Sequence, residues 1–414
     1  MHTKRCCGGL LYRMTDSSLL TPQSETALAS PAATPSAKPE PRPYRSWVEV
    51  SRPQIAANFQ AIRNVVGPEV EVMPVVKADA YRHGAIEVSR TLEQEGARWL
   101  AVSNTEEGVT LREAGIRARI LVMADFLPFT REVMLEHELT PVIHSLEDLA
   151  ALDRLAIHRK PRVRCHLKID SGMGRLGVRP DVAVIAEAIF AAKNLELEGL
   201  MTHFASSANY QSSQTEDQIK LFDSVAESLQ NVGIRPKLVH LSSTIPVAYG
   251  RRQCWRGMIR PGHAIYGYVS PARGNAPAKV LQVKPALAWR ASVLSVKDVP
   301  AGALIGYGGM FRAPRPMRIA VLAAGYADGI PHRLSNRGSV IVDGKLCPIA
   351  GAVSMDLTTI DISQAPETKV GDAVTLLGTE GQVSIDAQQI AKLAGTISYS
   401  VLCGIHARVK RIYV

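Results

Sequence analysis

Lys77 is the first residue whose type and position could do chemistry. It ends the apolar run VEVMPVVKA (70–78) and begins the polar segment KADAYRHG (77–84). A lysine at the end of a buried strand is partly desolvated, so its pKa can fall far enough for it to react with a carbonyl group. A lysine there can equally lay its stem along apolar surface and keep its charge in water. This segment alone does not separate the two interpretations.

A second polar motif, HLKIDSGMGRLGV (166–178), places Lys168, Asp170 and Arg175 at or just beyond a strand end. The glycines of this motif allow a tight turn. An arginine in such a turn can bind a carboxylate through two parallel hydrogen bonds. The alternative is a structural ion-pair cluster, which competes most strongly for Lys168 and Asp170.

Three further segments, THF (202–204), HLSST (240–244) and IRPGHAIYG (259–267), also fall near predicted strand ends. A lone histidine in a strand is usually a core residue, but here two histidines, several hydroxyls and an Arg-Pro-Gly turn converge. The backbone N–H groups of Gly262 and His263, with the Thr244 hydroxyl, could hold a phosphate. Tyr307 lies later, between glycines in IGYGGMF (305–311), where periodicity alone predicts only a turn.

The elements that must position these residues alternate between short apolar strands and helices. Strands are predicted over 70–78, 99–103, 119–124, 140–145, 162–170, 195–204, 237–243 and 258–268, and helices over 83–96, 105–115, 146–158, 181–192 and 214–231. This rhythm is typical of parallel βαβ units. Eight such units in about 240 residues predict a TIM barrel, whose active site lies at the C-terminal ends of its strands.

After about residue 285 the pattern changes to short strands separated by turn glycines, and VDGK (342–345) is typical of a hairpin. A late helix is predicted over 386–395 and a closing strand over 406–414. The predicted fold class is therefore α/β, with an N-terminal (β/α)8 barrel over 46–285 and a mostly β C-terminal domain over 286–414. Residues 1–45 are predicted to be a disordered leader, because the run 30–43 has almost no large apolar side chains.

The composition argues against several classes of protein. The formal charge of +10 does not indicate a nucleic-acid-binding protein, because the chain also has 38 acidic residues and only 5% aromatic residues. It has no block in which basic and aromatic residues alternate, as a groove for single strands requires. An anionic cofactor or substrate explains the charge equally well. The six cysteines show no metal-ligand spacing, which favours reduced thiols. No stretch approaches ~20 apolar residues and no secretory segment is recognisable, so we expect a cytoplasmic protein without membrane or nucleic-acid partners.

Taken together, the motifs resemble the alanine racemase family over nearly all of residues 46–414, in the same order and with the same spacing from Lys168 to Arg175. The resemblance implies a barrel followed by a β domain, with pyridoxal 5'-phosphate as cofactor. It implies a head-to-tail homodimer in which the partner's β domain completes each site. It also implies that the substrate is a small amino acid, with alanine first, and that the product D-alanine supplies peptidoglycan.

The resemblance also implies individual roles. Lys77 would carry the cofactor and act as the base on one face of the substrate Cα, while the partner's Tyr307 would act on the other. Racemisation needs two such groups on opposite sides of a planar carbanion. The other implied residues are, for the cofactor, Tyr81, His203, Thr244, Arg260, Gly262, His263 and Tyr399; for the substrate, Arg175 and Met355; and in support, Lys168, His240, Tyr326 and Asp356.

Two of these implied roles concern charge. Arg260 would face the pyridine nitrogen, and because arginine keeps its proton the ring would stay largely unprotonated. Lys168 matches a lysine that is often carbamylated in the family and so supports the arginine at 175.

The chain departs from the family pattern at several positions. Arg82 and Ala352 replace a glycine and an arginine, Ser243-Thr244 replaces Asn-Ser, and His263 replaces an aliphatic residue. The segment HFASSAN (203–209) also differs. These changes leave serine or a broader range of small amino acids open as substrates.

Three other classes of protein compete with a racemase. A decarboxylase of related layout is disfavoured because no GGG-type run occurs late in the barrel. A non-catalytic pyridoxal-phosphate carrier would lack the second domain. A catalytically inactive relative that binds the cofactor or an amino acid stays open, since fold does not fix function.

Overall fold

Eight parallel strands form the barrel that the sequence predicts. The computed structural model describes residues 39–179 and 181–414, so most of the predicted leader lies outside the described residues. The first nine strands are β1 (Ser46–Val50), β2 (Glu71–Val72), β3 (Trp99–Val102), β4 (Arg119–Val122), β5 (Thr140–Ile143), β6 (Val163–Lys168), β7 (Leu195–Met201), β8 (Leu238–His240) and β9 (Met258–Ile259). Strands β3 to β8 form one parallel sheet in chain order, and β2 pairs in parallel with β9.

Backbone contacts join these two sheets into a closed ring. Val75, just after β2, forms a parallel bridge with Ala101 of β3. Arg260, just after β9, donates its backbone N–H to the Ser242 carbonyl beyond β8 at 2.9 Å. Every residue of β3 is buried, as expected for strands covered by helices on one face and by barrel side chains on the other.

Helices connect the strands and start at polar caps. They are α1 (Arg52–Val66), α2 (Lys77–Tyr81), α3 (Ala85–Gln94), α4 (Thr105–Glu113), α5 (Arg131–Glu136), α6 (Leu146–Leu155), α7 (Val182–Ala191), α8 (Gln214–Asn231) and α9 (Thr244–Ala248). The side chains of Ser51, Asn104 and Ser145 each accept a hydrogen bond from a backbone N–H in the first turn that follows. Such caps satisfy donors that a helix start leaves free, and they set where α1, α4 and α6 begin.

The C-terminal domain is mostly β, as predicted. Its elements are β10 (Leu287–Val299), β11 (Leu304–Ile305), β12 (Phe311–Arg312), β13 (Met317–Leu322), β14 (Ser339–Val342), β15 (Lys345–Pro348), β16 (Thr358–Asp361), β17 (Ala373–Glu380), β18 (Val383–Ile385), β19 (Lys410–Tyr413), α10 (Ala387–Ala394) and α11 (Ser398–Cys403). The main sheet runs β15-β14-β17-β10-β1-β19, with β13 and β16 extending from β10 and β18 pairing with β17. Strands β11 and β12 form a separate ribbon.

Strand β1 differs from its predicted place. The predicted barrel starts at residue 46, but β1 pairs antiparallel with β10 and parallel with β19, so it belongs to the sheet of the C-terminal domain. Ser292 also donates hydrogen bonds to the carbonyls of Tyr44 and Arg45, at the end of the predicted leader. The first strand of the chain therefore ties the two domains together.

Local sequence signals explain two features of this domain. The hairpin β14–β15 turns at Asp343 and Gly344, both with positive φ, as a two-residue type I′ turn requires. Helix α10 begins with a capping box between Asp386 and Gln389 and ends at Gly395 in the left-handed conformation. Helix α11 follows directly and packs against α2 at the mouth of the barrel.

A search of residues 39–179 and 181–414 finds no helix that is both long and apolar enough to span a bilayer. Within the same ranges, no cluster of three histidine, cysteine, aspartate or glutamate side chains could hold a metal ion.

Candidate active site

A cavity of about 660 Å³ opens at the C-terminal ends of the barrel strands. Segments after β2, β3, β4, β6, β7, β8 and β9 line it, and α11 closes one side. Its polar lining residues are Lys77, Tyr81, Ser103, Lys168, Arg175, His203, Ser243, Thr244, Arg260, Gly262, His263 and Tyr399. Ten of the residues selected from the sequence thus meet in one cavity.

Lys77 is held at the cavity by an unusual turn. The three residues that follow it, Ala78, Asp79 and Ala80, have φ of 54°, 53° and 52°. Left-handed backbone costs roughly 1–2 kcal/mol per non-glycine residue, so this turn persists only because its surroundings hold it. Glu107 accepts the Ala78 N–H at 2.6 Å, and Asp79 accepts the Ala85 N–H at 2.7 Å.

The surroundings of Lys77 favour its neutral amine. Burial lowers the pKa of Lys77, and the positive charge of Arg175 lowers it further, while Glu107 opposes them. A neutral amine can attack a carbonyl carbon or accept a proton, which an ammonium group cannot. Lys77 therefore has the electrostatic environment of a reactive lysine.

Arg175 reaches the cavity from the turn after β6. Asp170 accepts backbone hydrogen bonds from Gly172, Met173 and Gly174, at 3.2, 2.9 and 3.0 Å. The Asp170 side chain therefore shapes this turn by accepting backbone N–H groups, and it forms no ion pair with any residue in the ranges 39–179 and 181–414. Burial lowers the pKa of Lys168 to about 8, with further lowering by the Arg175 and Arg260 charges.

One corner of the cavity is built for an anion. The Thr244 hydroxyl oxygen accepts hydrogen bonds from the N–H groups of Gly262 and Ala264, at 3.3 and 3.2 Å. A Cβ atom on Gly262 would lie 2.5 Å from the Tyr81 hydroxyl oxygen, so only glycine permits this close approach. The ring of His263 stacks on Tyr399 with centroids 3.9 Å apart, which stiffens the wall of this corner. The Gly262 and Ala264 N–H groups thus donate to Thr244 in this structure, and the hydroxyl groups of Thr244 and Tyr81 are the donors that suit a phosphate.

Arg260 also lines the cavity and is almost fully buried. Its Nη1 donates to the His240 ring at 2.8 Å and to the His240 carbonyl at 2.6 Å. Its Nη2 donates to the carbonyls of Thr202 and Leu241, at 2.7 and 3.3 Å. Burial lowers the pKa of Arg260 to about 9. The guanidinium is thus fixed through both Nη atoms, and Nε has no acceptor within the described residues.

His203 contributes a neutral imidazole to the same region. Burial lowers the pKa of His203 to about 3, with additional lowering by Arg260 and Lys168. Its ring is consequently a hydrogen-bonding group without charge at neutral pH.

Four predicted residues of the C-terminal domain lie outside this cavity. Tyr307 is 76% exposed, Met355 54% and Tyr326 42%. Tyr326 donates its N–H to Ser354, beside Met355, while Asp356 accepts a hydrogen bond from Arg408 at 2.7 Å. Within one chain, the structure therefore does not bring Tyr307 to Lys77.

Sequence reasoning missed a group of polar residues inside the barrel. His166 on β6, Glu198 on β7 and Arg119 on β4 are in contact beneath Arg260 and His240. Their signal was present in the sequence, because charged residues at inward positions of buried strands are expensive unless they are paired. Cys403 and Glu107, which also adjoin Lys77, gave no comparable signal.

A barrel with a reactive lysine at its mouth, an anion corner and a β domain behind it defines a class of cofactor-binding α/β enzymes. Models of two families match the chain, "Alanine racemase, N-terminal domain" over residues 50–271 and "Alanine racemase, C-terminal domain" over residues 286–413. The chain belongs to the alanine racemase family.

Similar proteins cover most of the chain. The alanine racemase of Halothermothrix orenii is 39% identical over 369 residues, which is 89% of this chain and 96% of the relative. That of Sorangium cellulosum is 37% identical over 90% of this chain and 99% of its own length. The solved alanine racemase of Clostridium difficile superposes with a TM-score of 0.84 at 30% identity, over 90% of this chain and 96% of the other.

A further solved structure bears on the cofactor. The alanine racemase of Bartonella henselae, solved with covalently bound pyridoxal phosphate, has a TM-score of 0.79 at 25% identity and covers 90% of this chain and all of its own.

Proposed function

We propose that this protein is a pyridoxal-phosphate-dependent alanine racemase that interconverts L- and D-alanine. The observation that carries the proposal is the meeting of Lys77, Arg175 and Arg260 with an anion corner in one cavity of an alanine racemase fold. We infer that Lys77 carries the cofactor covalently, as in the Bartonella relative.

The cavity fits pyridoxal phosphate at both of its polar ends. Thr244, Gly262 and the backbone of His263 would hold the phosphate, with Tyr81 and Tyr399 beside them. Across the cavity, the free Nε–H of Arg260 would face the ring nitrogen, with His203 nearby. When bound, the cofactor supplies a conjugated ring that makes the substrate Cα–H bond acidic.

Lys77 and Arg175 would manage the substrate on one face. The lowered pKa of Lys77 favours the neutral amine, which would take the Cα proton or return it. Arg175, with the backbone near the partner's Met355, would bind the substrate carboxylate, and Lys168 would support that arginine. Carbamylation of Lys168 would turn its positive charge into a negative one beside Arg175.

The second base would be the partner's Tyr307 in a homodimer. Racemisation requires a proton carrier on the other face of Cα. The two tyrosines of this chain in the cavity, Tyr81 and Tyr399, lie in the anion corner, and burial raises the pKa of both, so they keep their protons and cannot accept one from Cα. Tyr307 stands exposed on a turn between β11 and β12, so a second copy could present its own Tyr307 to this cavity. Tyr326 and Asp356 would then lie near the substrate entrance.

We further infer a role in D-alanine supply for peptidoglycan, in the cytoplasm. The substrate would be a small amino acid, with alanine first, and serine or a broader range stays an alternative. A catalytically inactive relative would keep the cavity but show no proton exchange.

The test is solvent-deuterium exchange at Cα, followed by proton NMR, with the cofactor-loaded protein and L-alanine or L-serine. Loss of the Cα signal with appearance of the D-enantiomer is expected for the native protein and not for Lys77→Ala. Tyr307→Phe should slow formation of the D-enantiomer far more than it weakens cofactor binding. Absence of exchange with every small amino acid, despite bound cofactor, would leave the inactive relative as the better account.

A further inference from the structure

A chain of five polar side chains runs through the inside of the barrel, and we name it the barrel chain. Its members are Arg260, His240, His166, Glu198 and Arg119, which come from β4, β6, β7, β8 and the segment after β9. Because β4 and β7 are not neighbours, these side chains meet across the barrel, and at the Arg119 end, where that side chain is 33% exposed, the barrel chain reaches solvent. Both histidine side chains are fully buried and the Glu198 side chain is 8% exposed.

The contacts of the barrel chain are continuous. Arg260 Nη1 lies 2.8 Å from His240 Nδ1, and His240 Nε2 lies 2.9 Å from His166 Nδ1. His166 Nε2 lies 3.5 Å from Glu198 Oε2. This last separation is long for a hydrogen bond, so the carboxylate acts on the ring mainly through its charge. Arg119 then holds both Glu198 oxygens, at 2.6 and 2.7 Å.

The chemistry of the two ends allows only one direction of hydrogen bonding. An arginine can only donate, so His240 Nδ1 must accept, and the proton of neutral His240 sits on Nε2. That proton is donated to His166 Nδ1, so the proton of neutral His166 sits on Nε2 and points at Glu198. An ionised carboxylate can only accept, which agrees with the direction set from the other end.

The protonation states fit this assignment. Burial lowers the pKa of His166, and lowers that of His240 well below its usual value, so both rings are neutral at neutral pH. Burial alone would raise the pKa of Glu198, but the nearby His166 ring N–H, together with the hydrogen bonds and charge of Arg119, lowers it to about 2. The Arg119 guanidinium lies 3.9 Å above the Trp99 ring, which fixes the far end.

We propose that Glu198 is a positioning residue that fixes the tautomers of His166 and His240 and thereby the orientation of Arg260. The Nη protons of Arg260 are taken by His240 and by the carbonyls of Thr202 and Leu241, which leaves Nε–H for the cavity. The direction of hydrogen bonding along the barrel chain follows from the contact geometry and from which groups can only donate or only accept. Its effect on the cofactor ring rests on the proposed function.

Glu198→Gln removes the acceptor-only end with little change in size. The glutamine oxygen would bind Arg119, which can only donate, so the amide N–H group would face His166 Nε2. Two donors then meet, and reversing the tautomers of His166 and His240 only moves that conflict to Arg260. Glutamine therefore no longer favours the His166 proton on Nε2, and the direction of hydrogen bonding toward Arg260 loses its support from this end.

Neutron diffraction from deuterated crystals of the cofactor-loaded native protein tests the direction itself. Deuterium is expected on Nε2 of both His166 and His240 and on neither Nδ1. Deuterium on Nδ1 of either ring, or on both nitrogens of one ring, would overturn the assignment. This measurement needs no variant and no activity, so it decides the direction even if the racemase proposal fails.

Kinetics of racemisation test the positioning role. Loss of a carboxylate that fixes a catalytic histidine directly lowers kcat by up to about 10⁴-fold. Two imidazoles and an arginine intervene here, so we expect Glu198→Gln to lower kcat by about 10- to 100-fold, with KM for alanine changed by less than about threefold. Glu198→Asp keeps the acceptor and should recover most of the loss.

Glu196→Gln is the matched control. Glu196 lies on the same strand, and its carboxylate pairs with Lys237 and Arg164, at 2.8 and 3.3 Å. Arg164 Nε also lies 3.9 Å from Glu198 Oε1, but Glu196 itself contacts no member of the barrel chain within the described residues. The kcat of the Glu196→Gln variant should equal that of the native protein. An unchanged kcat in Glu198→Gln, or an equal loss in Glu196→Gln, would overturn the positioning role. If native racemisation itself is absent while the neutron map shows the stated deuterons, the proposed function fails and the barrel chain stands.

Discussion

Gly262→Ala should weaken cofactor binding through a single steric contact. The new Cβ would lie 2.5 Å from the Tyr81 hydroxyl oxygen and 3.3 Å from its ring carbon, whereas ordinary contacts begin near 3.4 Å. Gly262 has φ of −109°, which alanine adopts freely, so backbone strain does not contribute. The tyrosine must therefore move by roughly 0.9 Å for the separation to become ordinary.

The surroundings of Tyr81 resist that movement. Its ring is packed against Tyr266 and Tyr399, with centroids 4.7 and 5.8 Å away, and only 7% of its surface is exposed. Overpacking of this kind lowers the free energy of unfolding by about 1–3 kcal/mol. Separately, loss of one hydrogen bond to the charged phosphate weakens cofactor binding by ~1.5–3 kcal/mol. The dissociation constant of the cofactor should therefore rise by about 10- to 100-fold.

The assay is absorbance titration of cofactor-free protein with pyridoxal phosphate, beside thermal unfolding. Gly257→Ala is the control, because its Cβ would meet no atom within 4 Å. The double variant Gly262→Ala with Tyr81→Phe removes the clashing oxygen and should lose less stability than Gly262→Ala. A cofactor affinity and Tm equal to those of the native protein in Gly262→Ala would refute this account of the anion corner.

Three further predictions concern stability. Arg82 has φ of +66°, so Arg82→Gly should raise the free energy of unfolding by up to about 1 kcal/mol in urea titrations, and a decrease would contradict the strain argument. Arg408 holds both oxygens of the buried Asp328 at 2.8 and 2.9 Å, so Arg408→Ala should lower the Tm by several degrees, whereas Arg408→Lys should lower it less. Burial holds the pKa of His203 and His240 below the value in the unfolded chain, so the unfolded chain takes up protons first as the pH falls. The free energy of unfolding should therefore decrease below about pH 6.5, which urea titrations at pH 7.5 and pH 5 would measure.

The barrel was predictable because its strands and helices have different periodicities. Helix α8 (Gln214–Asn231) matches its predicted range, and β3 differs from its own by one residue. Buried strands and capped helices carry their own signals, so local sequence suffices for them. Helices α1 and α5 were missed, although Ser51 followed by Arg52-Pro53 is an ordinary helix start.

The place of β1 could not be predicted in the same way. Its residues look like any short apolar strand, and its partners β10 and β19 lie far along the chain. Pairing between such distant segments is decided by the packing of the whole domain, which local patterns do not contain. The strand predicted over 70–78 is also too long at its C-terminal end, because Lys77 begins a left-handed turn. The residues of this turn include no glycine, so the sequence gives no sign of it.

The candidate site was partly predictable for a related reason. Residues at the C-terminal ends of parallel strands share one rim, so the strand assignments alone bring Lys77, Arg175 and Arg260 together. The barrel chain was not predictable, because it depends on which inward side chains meet across strands that are not neighbours. The role of Tyr307 stays a prediction, since a second copy of the chain must supply it.

Subunit complementation between Lys77→Ala and Tyr307→Phe tests whether each active site combines Lys77 of one subunit with Tyr307 of the other. The two inactive variants are mixed, dissociated and reassociated with excess cofactor, and L-alanine racemisation is measured. If each site takes its lysine from one copy and its tyrosine from the other, every mixed dimer has one intact site, and a random mixture regains roughly a quarter of native activity. If the mixture stays inactive although mixed dimers form, the two residues do not act together across an interface, and the two-base account is wrong.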